Sequence, residues 1–182
     1  MRRFVTPLFV CIAASLTALA GCNPEAYLAT NDGRVSGIWA VSLTGDFPND
    51  GTIPAKYAAP SNISPPLSWT PHVSSIVEYV LIVEDVNASG GPKTHWIVYS
   101  IPAATPELAE GAATSGKLVQ GTNDMGVVGY TGPESSSKHK YAFQLFALFQ
   151  PIGLPAGAKK EDVVKAMAGK VVAKSRLNGY YP

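Results

Sequence analysis

The chain has 182 residues, of which 46% are hydrophobic and 15% are charged, and its 14 basic residues nearly balance its 13 acidic ones. Nucleic-acid binding needs a basic surface that neutralises phosphates, so this composition argues against that class of function. The length is enough for one globular domain with a sizeable core, and no internal repeat or low-complexity block divides it.

The N-terminus has the pattern of an export signal. Arg2 and Arg3 precede an apolar run from Phe4 to Ala20, which ends two residues before Cys22. This predicts a signal peptide over residues 1–21, similar to the bacterial lipoprotein signal, which implies that Cys22 is lipidated and becomes the first mature residue. A membrane-spanning helix is the disfavoured alternative, because the run is shorter than the roughly 20 apolar residues that a bilayer requires. Asn23 resembles the signal for outer-membrane sorting, which predicts a lipid-anchored protein of the bacterial cell envelope facing the periplasm.

Processing at this position determines which chemistry remains. Cys11 would be removed with the signal and Cys22 would be acylated, so the mature domain would hold no thiol. A thiol nucleophile, a disulfide framework and a thiolate metal site are then excluded. Loss of Arg2 and Arg3 leaves 12 basic residues against 13 acidic ones, a formal charge of −1. The lipid would therefore supply the membrane attachment, rather than surface charge.

The rest of the chain predicts a polar tether over residues 22–34 and a mostly β domain over residues 35–182. Short apolar or alternating runs separate turn-rich segments, a spacing that is typical of a β-sandwich or barrel. The runs lie at residues 38–43, 77–83, 96–101 and 141–149, and the turn-rich segments at 46–52 and 60–66. Residues 75–83 and 96–100 are almost continuously apolar, as expected for central strands covered on both faces.

Two segments predict helices. Residues 159–172 place four apolar side chains on one helical face: Val163, Val164, Met167 and Val171. This pattern predicts an amphipathic helix packed on the sheet. Pro106 to Gly111 predicts a short helical turn, with Thr105 as its N-cap and Gly111 as its stop.

Two polar stretches at the ends of apolar runs contain two of the three histidines. Residues 84–87 lead to His95, and residues 129–133 lead to His139 and Tyr141. The period-2 spacing sends His139 and Tyr141 to one face of a strand. Imidazole nitrogens, a tyrosine hydroxyl and loop N–H groups can all donate to a phosphate or carboxylate, and glycines permit close approach. The pattern predicts a small-anion site in loops carried by a rigid scaffold.

Asp85 is the acidic member of this set. A carboxylate would repel a bare anion, so we expect it to accept a hydrogen bond from a histidine and fix the tautomer of that ring. It could equally face the ammonium group of a zwitterionic ligand.

Several alternatives stay open on the residues alone. His95 could be a core histidine with its hydrogen bonds satisfied. A serine hydrolase could combine Asp85 and a histidine with the serines at 135–137, although no Gly-x-Ser-x-Gly elbow is present. The pair His95 and His139 with Asp85 could form a metal site, although their spacing matches no dedicated metal motif. His72 follows a proline in a polar loop and is interpreted as exposed and without a role.

Seven segments, taken in order, carry a resemblance to a known family: Phe47 with Asp50–Pro54, Asn62–Trp69, Glu84–Asp85, His95–Val98, Gly129–Pro133, His139–Tyr141 and Leu177–Tyr180. Over about residues 38–181 the chain resembles the phosphatidylethanolamine-binding protein family, in its bacterial Raf-kinase-inhibitor-like branch. The resemblance implies a Greek-key sandwich of two antiparallel sheets with a few peripheral helices and a small anion-binding pocket. The residues that match this pocket and its loop are Asp85, His95, Tyr130, Gly132, Pro133, His139 and Tyr141. Tyr180 or Tyr181 would lie at its rim.

The resulting expectation is a non-catalytic lipoprotein, without cofactor or metal, that binds a small anion or a phosphorylated headgroup. Members of the family differ widely in partner, so a protein-binding inhibitor or modulator of a protease or kinase is the first alternative. A weak hydrolase using the same pocket is the second. Two loops depart from the family pattern. Residues 85–89 lack its two prolines, and residues 134–138 replace its proline-rich continuation.

Overall fold

The computed structural model describes residues 39–70 and 75–182, with only the backbone of Trp39 and Ala40. The predicted signal peptide, the lipidated Cys22, the tether and His72 lie outside the described residues. Within the described part, none of the helices has the length and apolar character needed to cross a membrane.

The described chain is mostly β. The ten strands are β1 (Trp39–Ala40), β2 (Ser42–Gly45), β3 (Gly51–Thr52), β4 (Leu67–Thr70), β5 (Glu78–Asp85), β6 (Lys93–Pro102), β7 (Glu107–Leu108), β8 (Val119–Gln120), β9 (His139–Leu148) and β10 (Val171–Tyr181). One α-helix, α1 (Lys160–Met167), and two 3₁₀ turns (Ala55–Tyr57 and Ala112–Thr114) complete the described elements.

The strands form two sheets. The larger has the order β1-β10-β9-β5-β6-β8, with β3 also paired to β10, and the smaller has the order β2-β4-β7. Pairing is antiparallel except that the two-residue strands β1 and β3 run parallel to β10. The predicted two-sheet, mostly β architecture with peripheral helical elements is confirmed.

The larger sheet is covered on both faces. Every residue of β5 is buried, and β6 is buried from Thr94 to Tyr99. The inner face, which packs on Trp69 of the smaller sheet, includes Tyr79, Leu81, Val83, Trp96 and Phe143. The outer face, which packs under Val163 and Met167 of α1, includes Val80, Ile82, Ile97, Tyr99 and Phe146. Burial on both sides explains why the sequences of these strands are nearly continuously apolar, as predicted.

The C-terminal helix is confirmed but is shorter than predicted. Its apolar residues Val163, Val164 and Met167 are buried on the sheet. The helix ends at Met167, two residues before Gly169, whose φ of +74° favours glycine. Val171, predicted on the same helical face, instead begins β10.

The predicted helical turn at residues 106–111 is wrong. Glu107–Leu108 form β7 and pair with β4, because Leu108 is buried in the inner core. Gly111, expected to stop a helix, has φ of +72° and instead precedes the 3₁₀ turn at Ala112–Thr114. A partner strand about 40 residues away overrides the local capping pattern.

Candidate functional site

The predicted site residues of three central strands meet at one end of the larger sheet. Asp85, the last residue of β5, lies opposite Tyr141 of β9 in the strand register. Tyr181, near the end of β10, lies opposite His139 at the start of β9. The polar residues at the ends of these strands, which are far apart in sequence, therefore lie at the same end of the sheet.

Asp85 and His139 form a close pair. His139 Nδ1 lies 2.6 Å from Asp85 Oδ2, and their side chains are 22% and 7% exposed, respectively. The second carboxylate oxygen, Oδ1, accepts the N–H of Asn87 at 2.9 Å. Since a carboxylate accepts, Nδ1 carries a proton and Nε2 is the ring nitrogen left for a ligand.

A β-bulge brings His95 to the same group. Register partners change from Val83–Trp96 to Glu84–Thr94, so His95 is an extra residue in β6. A bulge re-aims a side chain. As a result, His95 makes an edge contact with the ring of Tyr141, with centroids 5.2 Å apart, while Trp96 still packs in the inner core.

The hydrogen bond and burial of His95 define its protonation state. Its Nδ1 lies 2.8 Å from the carbonyl oxygen of Thr131, which can only accept, so Nδ1 carries the proton. Burial lowers the pKa of His95, although the carbonyl of Thr131 and the charge of Asp85 oppose that shift. The backbone of Gly132 opposes it as well. Because burial is the largest of these effects, the ring is neutral at pH 7.

Tyr141 lies next to His95 and near Asp85. Burial raises the pKa of Tyr141, and the nearby charge of Asp85 raises it further. The phenol therefore stays protonated at physiological pH and can donate a hydrogen bond. Tyr181, which was one of two rim candidates, packs against the inner core.

The loop residues Tyr130, Gly132 and Pro133 serve mainly to build the site. Tyr130 donates its hydroxyl to the carbonyl of Tyr57 at 2.8 Å. Gly132 donates its N–H to Asn62 Oδ1 at 2.7 Å, and Pro133 accepts the N–H of Ala59 at 3.0 Å. Their polar groups are thus occupied. The Gly132 N–H, one of the loop donors, is therefore already bonded to Asn62.

Gly132 is required by close packing. A Cβ at this position would lie 2.3 Å from the carbonyl oxygen of Tyr57 and 2.8 Å from backbone atoms of Ala58. Backbone atoms cannot move away as a flexible side chain can. The glycine lets the loop pack directly on residues 57–58, which places Thr131 within reach of His95.

Two asparagines that support the site were missed by the sequence interpretation as functional residues. Asn123 is 4% exposed, and its Nδ2 donates to the carbonyl of His95 and to Thr131 Oγ1, while its Oδ1 accepts two loop N–H groups. Asn62, with φ of +50°, holds Gly132 from a segment 70 residues away. Asn62 belongs to a stretch that carries the family resemblance, which was its one available signal.

The loop after β5 lacks the two prolines of the family pattern and is held by hydrogen bonds instead. Asn87 donates its N–H to Asp85, and its Oδ1 accepts the N–H of Lys140. Val86 donates to the carbonyl of Lys140. These bonds fasten the loop to β9 next to His139, so side-chain hydrogen bonds take over the role of a rigid proline turn.

The alternative chemistries find less support. In residues 39–70 and 75–182, no group of three His, Cys, Asp or Glu side chains is arranged to hold a metal ion. Ser135 Oγ accepts the N–H of Ser137 at 3.2 Å in a local turn. That contact is internal to the serine loop and does not poise a nucleophile on His139.

Two concavities lie elsewhere on the molecule. A groove of about 610 Å³ runs between residues 154–158 and α1, and another of about 350 Å³ lies between Asp46 and Leu108. Neither is lined by the histidine cluster. We favour the cluster as the functional site because it gathers an acceptor, a hydroxyl and an oriented imidazole, which a shallow groove does not.

Sequence comparison identifies a matching family model and related proteins. Residues 44–182 match the family model described as phosphatidylethanolamine-binding protein. A UPF0098 protein of Methanothermobacter thermautotrophicus is 40% identical over 144 residues, covering 76% of this chain and 95% of that protein. A UPF0098 protein of Aquifex aeolicus is also 40% identical over 144 residues, covering 74% and 84%.

Two solved structures have a similar fold. A crystal structure of a putative phosphatidylethanolamine-binding protein homologue from Chlamydia trachomatis has a TM-score of 0.73 and 36% identity, covering 79% of this chain and 97% of that one. The Escherichia coli protein YbcL is described as a new member of the mammalian phosphatidylethanolamine-binding protein family. It has a TM-score of 0.70 and covers 79% of this chain and 98% of its own. At 22% identity, this second likeness concerns the fold.

Proposed function

Since the chain belongs to the phosphatidylethanolamine-binding protein family, we propose that it is a non-catalytic binding protein whose site accepts a small anion. The ligand is a phosphorylated headgroup or an acidic group of a partner. The proposal places the protein in the bacterial Raf-kinase-inhibitor-like branch, as a lipoprotein anchored through Cys22 in the outer membrane and facing the periplasm.

The observation that carries the proposal is the Asp85–His139 pair at 2.6 Å, with Tyr141 opposite Asp85 in the strand register. The carboxylate orients Nδ1 of the ring, so that Nε2 of a protonated His139 can donate outward. A charge-assisted hydrogen bond of this kind contributes about 1.5–3 kcal/mol. Together with a neutral phenol as second donor, it fits an oxyanion.

The test is calorimetric titration of inorganic phosphate and phosphoethanolamine into the wild type and His139→Ala. Loss of a charged hydrogen bond should weaken binding roughly 10- to 100-fold. His72→Ala is the matched control, since it removes the third histidine of the chain besides His95 and His139. This variant should bind as the wild type does. Equal affinity of His139→Ala and wild type would contradict the proposal.

The inhibitor alternative uses the outer surface and loops in place of the histidine cluster. Under it, a protease or kinase captured by wild-type protein would also be captured by His139→Ala. The hydrolase alternative predicts that a fluorophosphonate reagent labels a serine within residues 135–137. Absence of labelling would disfavour that mechanism, and both results are independent of the calorimetry.

A further inference from the structure

We propose that the end of the domain opposite the histidine cluster rests on the surface of the lipid bilayer, so that the cluster faces away from the membrane that anchors the protein. We call this surface the tether end. It consists of the loop residues 75–77, 102–106, 149–153 and 168–170. The inference rests on the lipidation of Cys22, which is part of the proposed function.

Hydrogen bonds join these loops into one surface. Val77 donates its N–H to the residue before Phe149 at 2.8 Å, and Ala103 donates its N–H to the carbonyl of Val77 at 3.1 Å. Phe149 donates to the carbonyl of Lys170 at 3.1 Å, and the Lys170 ammonium donates to the carbonyl of Pro151 at 2.9 Å. The loops therefore lie together where β5 begins and β9 ends.

The direction of β1 shows on which side the tether joins the domain. β1 runs parallel to β10, with Trp39 opposite Ala173. β10 leaves the tether end at Val171 and finishes beside the histidine cluster at Tyr181. β1 therefore also runs away from the tether end, and its first residue is the one nearer to that end. Residues 22–38 span at most about 60 Å when extended, so an anchor at Cys22 holds this side of the domain within reach of the bilayer.

The tether end exposes apolar side chains and few charges. Val77 is 48% exposed and Phe149 is 39% exposed. The four loops contain no acidic residue, and Lys170 is their single basic one. Glu78, which follows Val77, is buried and accepts the N–H of Ile152 at 2.9 Å. Apolar side chains insert favourably at a bilayer surface, and a lysine is attracted to anionic headgroups, so this composition fits a lipid surface.

The opposite end, which holds the histidine cluster, has a different character. Asp124, which accepts the N–H of Thr94 at the start of β6, is exposed there, and so is Glu134. Val127 and Val128 are also exposed, at 45% and 54%, but they lie in the same loop as Asp124. A bilayer that contains anionic lipids repels these carboxylates, which makes this end the weaker contact.

This orientation determines which ligands can reach the site. The ten residues of β9 span about 30 Å from Leu148 at the tether end to His139. The headgroup layer of one leaflet is only about 5–8 Å thick. When the tether end rests on the bilayer, the headgroups of the anchoring leaflet lie too far away to enter the site. The ligand of the anchored protein is then an anionic group that arrives from solution.

The experiment places a nitroxide spin label at either end of the full chain, anchored in vesicles of phosphatidylethanolamine and phosphatidylglycerol. Gln150→Cys labels the tether end and Ser136→Cys labels the opposite end, and both residues are exposed. Lipidation of Cys22 and removal of Cys11 leave no other thiol to react. Electron paramagnetic resonance then measures collisions of each label with oxygen, which enters the bilayer, and with a polar nickel chelate, which does not.

We expect the label at residue 150 to collide several-fold less with the nickel chelate than the label at residue 136, and more with oxygen. Equal access of the chelate to both labels would overturn the inference, because the domain would then stand clear of the bilayer. Protection of the label at residue 136 instead would overturn it as well, because the histidine cluster would face the membrane. Both of these results leave anion binding, which calorimetry measures, untouched.

Paired substitutions test which side chains make the contact. Val77→Asp combined with Phe149→Asp should restore access of the chelate to the label at residue 150. Val127→Asp combined with Val128→Asp is the matched control and should leave that access unchanged. Protection that persists in the first pair would overturn the inference.

The mass of the vesicle-bound protein separates this inference from the anchor on which it rests. A mass that includes acyl chains on Cys22, together with the protection pattern above, supports both. A chain with an unmodified Cys22 that fails to float with the vesicles overturns the proposed lipoprotein and the orientation together. A lipidated chain without protection at residue 150 overturns the orientation alone.

Discussion

The two consecutive acidic residues of β5 point to opposite faces of the larger sheet and have different partners. Glu84 points to the outer face, where it is 1% exposed and accepts hydrogen bonds from Gln144 at 2.8 Å and Lys160 at 3.2 Å. Asp85 points to the inner face, where its principal partner is the partly exposed His139.

The cluster around Glu84 lies under α1, whereas the cluster around Asp85 includes one partly exposed side chain, that of His139 at 22%. Helix α1 brings Lys160, 13% exposed, onto Glu84, and β10 adds Lys174. Burial lowers the pKa of Lys174 to about 8, and repulsion from Arg176 lowers it as well, against the attraction of Glu84. The inner cluster lies at the ends of the central strands, and the one α-helix of the described residues packs on the other face. The comparison teaches that a buried carboxylate becomes a candidate binding group where its partner keeps an unused nitrogen near solvent.

The largest expected effect comes from the loop that supports only the inner cluster. Gly132→Ala would force a Cβ against the carbonyl of Tyr57 at 2.3 Å. We expect a loss of about 3 kcal/mol or more in the free energy of unfolding, measured by urea denaturation. Gly90→Ala is the control, since its Cβ would meet no atom within 4 Å and its φ of +89° alone costs about 1 kcal/mol. Similar losses in the two variants would contradict this account.

Exchanging charge for amide at the two acids tests the comparison directly. Glu84→Gln leaves the buried Lys160 without its carboxylate and should lower the free energy of unfolding by about 2–3 kcal/mol, with phosphate affinity unchanged. Asp85→Asn should weaken phosphate binding roughly tenfold or more, with a smaller loss of stability. Urea denaturation gives the free energy of unfolding of each variant, and calorimetry gives its affinity for phosphate. A larger affinity loss in Glu84→Gln than in Asp85→Asn would reverse the assignment of the two clusters.

The smallest effect is a pH dependence of stability from His95. Its folded pKa is lowered by burial, so the unfolded chain takes up the proton first as the pH falls below about 6.5. The stability that depends on the neutral ring is fully present above that pH and decreases below it, by at most about 1.4 kcal/mol per pH unit. Urea denaturation of the wild type between pH 7.5 and 5 should show a steeper decrease than that of His95→Gln. Parallel curves would contradict the lowered pKa.

Local patterns in the sequence were sufficient for the central strands and for part of the site. Continuous apolar runs identified β5 and β6, because burial on both faces leaves no polar alternation. The alternation at residues 138–141 placed His139 and Tyr141 on one face. These predictions succeeded because each depends only on neighbouring residues in a single strand.

Features that depend on distant partners were not accessible in the same way. Asn62 reaches Gly132 across 70 residues, and Gln144 reaches Glu84 across 60. The bulge that turns His95 inward is a property of the β5–β6 register, which the sequence of β6 alone does not define. The error at residues 106–111 has the same origin, since pairing with β4 decided its conformation.

The parallel pairing of β1 has a practical consequence for handling the protein. β1 joins β10 beside Ala173 and Lys174, whereas the histidine cluster lies beside Tyr181. Eight steps of extended strand separate these levels, a distance of about 26 Å. A purification tag, fluorophore or biosensor chip linked ahead of Trp39 would therefore be attached at the opposite end of the molecule and would leave ligand access unobstructed.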